Sequence, residues 1–173
     1  DTIMSPLDSI RYQKSFLRVG FMSMDPNTGH VKAYVGGPDF THFQYDMASV
    51  GRRQIGSTVK PFLYTLAMEE GFTSCDMFLN EQPTLITEDG KPWSPRNSSK
   101  ARVGEMVSLR WGLANSNNWI SARLMDKLSP SSLARLMHSF GIKNKIDEVI
   151  SLCLGPVEVS VEEMVTAYTA FSN

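Results

Sequence analysis

Ser57 and Lys60 lie three residues apart in Gly56-Ser57-Thr58-Val59-Lys60-Pro61, a spacing that sets a hydroxyl and an amine almost one turn apart on one helical face. Their side chains are expected to meet as a nucleophile and its base. A serine hydroxyl attacks a carbonyl only when a neighbour takes its proton. A lysine amine can do this once burial or a nearby cation has lowered its pKa enough to leave it neutral. Arg52 and Arg53 stand just upstream as candidate cations. The helix start adds unpaired backbone amides and the positive end of the helix dipole, which face the place where an oxyanion would form.

A second polar cluster interrupts two helical patterns in Leu113-Ala114-Asn115-Ser116-Asn117-Asn118-Trp119-Ile120. In a short extended link alternate residues face one way, so Ser116 and Asn118 are expected to point together into a cleft. Taken singly, a Ser-x-x-Lys match is usually a surface cap beside a surface charge, and a polar tripeptide between helices is usually a turn. Their joint occurrence carries the argument. Trp119 adjoins Asn118 and is singled out for that reason, whereas Tyr34, Tyr45 and Trp111 read as core or rim aromatics.

The elements that must hold these residues are legible in outline. Val59, Phe62, Leu63, Leu66 and Ala67 recur at helical spacing, with Pro61 in the first turn and Gly71 placed to end the helix after Glu70. Ser108 is a candidate N-cap before Leu109 and Leu113, and Ile120, Leu124 and Leu128 mark the next helix. Ser129 before Pro130 opens a helix with Leu133, Leu136, Met137 and Phe140 on its apolar face, stopped by Gly141. Ser160 and Glu163 form a capping box for a last helix bearing Val161, Met164, Val165 and Tyr168. Upstream, Leu17, Val19 and Phe21 alternate with Arg18, Gly20 and Met22. A turn around Pro26 to Gly29 then leads to Val31, Ala33 and Val35, which predicts a β-hairpin. Residues from Thr73 to about Val103 read as irregular chain anchored by Phe78 and Trp93. A hairpin with a helical remainder is an α+β arrangement.

Composition sets the background. With 173 residues, 42% of them hydrophobic and 20% charged, the chain suits one globular domain or a substantial part of one. A formal charge of -1 without a basic run leaves no footprint for nucleic acid, and no apolar run approaches the roughly 20 residues that cross a bilayer. His30, His42 and His138 share no metal-ligand spacing with each other or with Cys75 and Cys153, so no metal or organic cofactor is implied. The two cysteines read as a pair of buried thiols rather than a bridge, and the methionines as core filling.

Together Ser57-Thr58-Val59-Lys60 and Ser116-Asn117-Asn118 resemble the transpeptidase domain of penicillin-binding proteins, in which Ser-x-x-Lys is combined with a Ser-x-Asn type element and Lys-Thr-Gly. The stretches Arg53-Gln54-Ile55-Gly56, Met24-Asp25-Pro26-Asn27-Thr28-Gly29, Val35-Gly36-Gly37 and Pro95-Arg96-Asn97 are similar to the class A, bifunctional, branch. So are Leu154-Gly155-Pro156-Val157-Glu158-Val159-Ser160 and Ala167-Tyr168-Thr169-Ala170-Phe171-Ser172-Asn173. The resemblance implies an α+β penicillin-binding protein and serine β-lactamase-like fold over residues 16–173, preceded by a lead-in segment, 1–15. It also implies peptidoglycan D,D-transpeptidase activity. Ser57 would be acylated by D-Ala-D-Ala stem peptides or by β-lactams, Lys60 would act as base, Ser116 as proton relay and Asn118 as binder of the substrate amide, with Trp119 and Gly56 beside the substrate.

The Lys-Thr-Gly motif is absent: Lys127, Lys143 and Lys145 are not followed by Thr-Gly or Ser-Gly. These residues are therefore expected to form the first portion of the domain, weakly active or inactive by itself and prone to self-association through an open hairpin edge. The resemblance further places the natural chain on the periplasmic side of the cytoplasmic membrane, with an upstream anchor and glycosyltransferase domain. Alternatives are a serine β-lactamase, whose Glu-x-x-Leu-Asn segment is missing here, and a non-catalytic β-lactam sensor or scaffold.

Overall fold

A computed structural model describes residues 2–172, and Asp1 and Asn173, the latter ending the expected 167–173 match, lie outside the described residues. The elements run α1 (Pro6–Ser15), β1 (Phe21–Met24), β2 (Val31–Val35), β3 (Arg52–Gln54), a 3-10 turn (Gly56–Val59), α2 (Lys60–Glu69), β4 (Met77–Leu79), β5 (Leu85–Ile86), β6 (Pro92–Trp93) and β7 (Met106–Ser108). There follow α3 (Leu109–Ala114), α4 (Asn118–Met125), α5 (Pro130–Ser139), a second 3-10 turn (Ile150–Leu154), β8 (Glu158–Ser160) and α6 (Val161–Thr169). Helices and strands are mixed, as an α+β fold requires. The chain divides into two compact units, residues 1–52 with 160–173, and residues 53–159.

In the first unit the expected hairpin forms, pairing Phe21 with Val35, Met22 with Tyr34 and Ser23 with Ala33, before a register shift at Met24. Its turn is built by Asp25, whose carboxylate accepts from the Asn27 and Thr28 amides while its carbonyl accepts from Gly29. The strand starts four residues later than the alternation suggests, because Leu17 and Val19 stay exposed and unpaired in the ladder. α6 packs on β1 and carries the predicted capping box, Ser160 Oγ accepting from Glu163 N and Glu163 Oε2 accepting from Ser160 N. The expected apolar face is only partly covered, Val161, Met164 and Val165 being half-buried and Tyr168 exposed, and the fully buried residue of α6 is Ala167, which the sequence reading did not place on that face. The lead-in segment, for which the sequence suggested no element, is helical from Pro6, with Ser5 Oγ accepting from Asp8 N and every residue exposed.

The second unit holds the main core. Val59, Phe62, Leu63, Leu66 and Ala67 of the α2 region meet Leu109 of α3, Ile120, Leu124 and Met125 of α4, and Leu133 and Met137 of α5, all buried. Burying each such large side chain contributes roughly 1.5–3 kcal/mol, so α2 is fixed in place by its own apolar stripe. Gly71, at φ +91, ends α2 where expected, because a left-handed residue at that point costs glycine little. Ser108 caps α3 by accepting from Trp111 N, whereas Ser129 makes no cap bond to α5 and pairs instead with Ser131 Oγ. The irregular stretch contains three short strands, with β4 antiparallel to β7 and β5 to β6. Cys153 is buried, but Cys75 is exposed, contrary to the expected pair of buried thiols, and both are free.

Candidate active site

Ser57 sits in the 3-10 turn rather than in the α-helix foreseen for it. The tighter turn follows from local chemistry. Pro61 has no amide to join a longer ladder, Lys60 N donates to Ser57 O, and Thr58 Oγ1 closes on Ile55 O at 2.7 Å. The Ser57 side chain is exposed and reachable, while Lys60, three residues on, is only 1% exposed.

The Lys60 ammonium carries three protons and finds three acceptors: Ser116 O at 2.5 Å, Ser116 Oγ at 3.0 Å and Asn118 Oδ1 at 2.7 Å. The two polar clusters of the sequence therefore converge on one amine. The expected direct meeting of Ser57 and Lys60 is not found: among the described residues no hydrogen bond joins Ser57 Oγ to Lys60, because the amine is turned towards the second cluster. Burial pushes the Lys60 pKa down to about 8, opposed by the neighbouring Cys153, whose own thiol burial pushes up to about 12. The arginines proposed as depressing cations do not figure among the causes, and Arg52 is paired with Glu163 at 2.9 Å.

Ser116 and Asn118 reach Lys60 by a route other than the extended link expected. Ser116 N donates to Leu113 O and Asn117 N to Gly112 O, the two bonds of a Schellman cap on α3. In that motif the residue after the cap adopts the left-handed conformation, normally glycine; here it is Ser116, at φ +48. The strain turns both the carbonyl and the hydroxyl of one residue towards the same amine. Asn118 is already the first residue of α4, whose N-cap is Asn117, with its Oδ1 accepting from Trp119 N and Ile120 N.

A set of amides that the sequence reading overlooked holds this cap. Asn117, 1% exposed, donates through Nδ2 to Oδ1 of the buried Asn80 at 2.9 Å, and Asn80 Nδ2 in turn donates to Ala101 O and Arg102 O. Asn118 N donates to Asn97 Oδ1 and Asn118 Nδ2 to Arg96 O, while the half-buried Trp119 donates its indole N–H to Pro95 O. The segment 95–97 is thus stitched to the second cluster by three bonds. An asparagine directly before a helical pattern signals an N-cap, so Asn117 was readable; Asn80, 37 residues away, left no local signal. Gly56, at φ +54, opens the 3-10 turn that holds Ser57 and donates its amide to Gly155 O at 3.0 Å. Among the described residues no cluster of His, Cys, Asp and Glu is arranged to hold a metal.

Such an arrangement offers an exposed hydroxyl three residues before a buried amine of lowered pKa, the two residue types that acyl transfer through a covalent ester requires. Comparison with known proteins gives the family. Residues 19–173 match the penicillin binding protein transpeptidase domain. The chain is 36% identical over 154 residues to penicillin-binding protein 1A of Rickettsia conorii, covering 88% of this chain and 19% of that one. It is 34% identical over 160 residues to penicillin-binding protein 2D of Bacillus subtilis, covering 92% and 23%. The crystal structure of penicillin-binding protein 1A from Haemophilus influenzae superposes with a TM-score of 0.82 at 29% identity, covering 89% of this chain and 23% of that one. The chain spans about a fifth of the length of these curated relatives.

Proposed function

The chain belongs to the penicillin-binding protein transpeptidase domain family, and from that membership we propose that it carries the nucleophile of a serine D,D-transpeptidase that cross-links peptidoglycan. The observation that supports this reading most directly is the buried Lys60 amine, held by Ser116 and Asn118 and lowered to about 8. Ser57 Oγ attacks the carbonyl of the penultimate D-alanine of a stem peptide as its proton passes to neutral Lys60. A neutral amine has two N–H bonds and one lone pair, so one of the three present acceptors must be released for Lys60 to serve. The tetrahedral intermediate collapses with loss of the terminal D-alanine, whose nitrogen takes a proton relayed through Ser116. The resulting ester passes its acyl group to an amine of a neighbouring stem, restoring the Ser57 hydroxyl.

Asn118 Oδ1 has a second lone pair and Nδ2 a second hydrogen with which to meet the substrate amide, flanked by Trp119 and Gly56. β-Lactams enter the same chemistry and remain as a slowly hydrolysed ester on Ser57. In the natural protein this region would work on the periplasmic side of the cytoplasmic membrane, beside a glycosyltransferase domain.

Intact-mass analysis and peptide mapping of the full-length protein after penicillin treatment test the proposal. The expected result is one stable adduct on Ser57, lost in Ser57→Ala, and amide bonds formed between added stem peptides. An adduct on another residue would refute the assignment of Ser57. Rapid turnover of the drug would point to a hydrolase, and a stable adduct without cross-linking to a sensor.

A further inference from the structure

The second 3-10 turn runs directly into the turn that carries Ser57, and the approach is closer than side chains allow. A Cβ placed on Gly155 would stand 2.2 Å from Gly56 O, 2.8 Å from Gly56 N and 2.9 Å from Gly56 C. All three are backbone atoms, which no rotamer change can move aside. The two segments are also joined by hydrogen bonds, Gly56 N donating to Gly155 O and Ile55 N to Val157 O, each at 3.0 Å. Gly155 itself is left-handed, at φ +68.

We propose that Gly155 is a positioning residue for acyl transfer: its bare backbone sets the Gly56–Ser57 peptide, and through it the place of the Ser57 hydroxyl. The proposal rests on the reading of Ser57 as nucleophile. Gly56 O and Ser57 N belong to one planar peptide unit, so a push on the oxygen is passed to Ser57 as a rigid body. Relieving a 2.2 Å contact to ordinary van der Waals distance requires a shift of about 1 Å, and a misplacement of that size costs on the order of 100-fold in rate when a reacting group is displaced. Gly56 has open space on its own Cβ side, where a Cβ would meet nothing within 4 Å.

The test compares Gly155→Ala with Gly71→Ala in the full-length protein. Gly71 is also left-handed, at φ +91, but a Cβ there meets nothing within 4 Å, so this variant has the backbone strain without the collision. Fluorescent penicillin gives the binding constant and the acylation rate constant separately. The expected result is an acylation rate constant about 100-fold lower in Gly155→Ala, with initial binding unchanged, and an unaltered rate in Gly71→Ala. A labelled wild type together with a Gly155→Ala that acylates like Gly71→Ala overturns the positioning role alone. A wild type that takes no label on Ser57 overturns the nucleophile reading and this proposal with it. Should Gly155→Ala not fold, amide exchange in the wild type decides: slow exchange at Ile55 and Gly56 supports the clasp, and exchange at loop rates in the folded protein overturns it.

Discussion

The lowered pKa of Lys60 makes a quantitative forecast for the rate of acylation against pH. If the neutral amine is the base, the rate constant follows its fraction, which for a pKa of about 8 is roughly 1% at pH 6, 10% at pH 7 and 90% at pH 9. The profile should therefore climb about tenfold per unit up to pH 8 and flatten above it. Burial is what makes this attainable. An amine left at the ordinary value of 10.5 would be neutral in about 0.03% of molecules at pH 7, so the shift is worth roughly 300-fold in available base, or about 3 kcal/mol. Stopped-flow acylation by a chromogenic β-lactam between pH 6 and pH 10 measures the curve directly, and Lys60→Met, which cannot accept a proton, should lose at least 100-fold in rate and the rising limb with it. A rate independent of pH from 6 to 8, or a break near pH 10, would refute the argument that desolvation of Lys60 prepares the base.

The same shift governs stability with a definite sign. Because the folded pKa lies below the unfolded one, the chain bearing Lys60 should gain stability relative to Lys60→Met as pH rises from 8 towards 10.5, which urea unfolding at several pH values would show as an unfolding free energy of the wild type minus that of Lys60→Met that rises with pH. The raised pKa of Cys153 lowers the stability of both chains from about pH 9, where an unfolded thiol ionises and the buried one does not, so it bends the two absolute curves and largely cancels in their difference. At Ser116, glycine and alanine both remove the hydroxyl, but only alanine keeps the left-handed strain; Ser116→Gly should be the more stable by about 1 kcal/mol in denaturant titration, with acylation impaired in both. Asn117→Ala removes the α4 cap and leaves Asn80 Oδ1 buried without its donor, which should cost about 2–4 kcal/mol, and Asn80→Ala added to it should cost less than its own single effect, the remainder being its bonds to Ala101 O and Arg102 O.

How much of this was legible in the chain depended on the range of the interaction. The α2 stripe, the Gly71 stop, the Ser108 cap and the Ser160–Glu163 box are all decided within a turn or two, and each was readable. Ser57, Lys60, Ser116 and Asn118 were singled out by type and spacing, and the last three do meet. The manner of meeting was misread, because Ser116 stands where a Schellman cap usually has glycine, and a serine there disguises the left-handed turn as an ordinary polar link. The direction of the Lys60 amine was misread for a related reason: helical spacing brings Ser57 near, but three acceptors presented from the second cluster outweigh one hydroxyl. Cys153 beneath Lys60, the Gly155 contact and the Asn80 anchor are tertiary facts with no periodic signal, and nothing local announces them.

The Asn80–Asn117 bond has a consequence for the order in which the site is assembled. The hydrogen bonds inside α2 and its turn close over three or four residues and can form on the microsecond scale of helix growth, but α2 is held by packing on α5 and its turn by Gly155 and Val157, all far along the chain. Asn117 and Asn118, by contrast, are secured by partners 37 and 22 residues earlier, across irregular chain whose closure must be completed before those bonds repay it. The acceptors around Lys60 are complete once the chain through Asn118 has docked, whereas the Ser57 turn gains its clasp only from Gly155 and Val157. During synthesis the amine should therefore be in place first, and the Ser57 hydroxyl should be set last, when the chain beyond residue 155 closes on it.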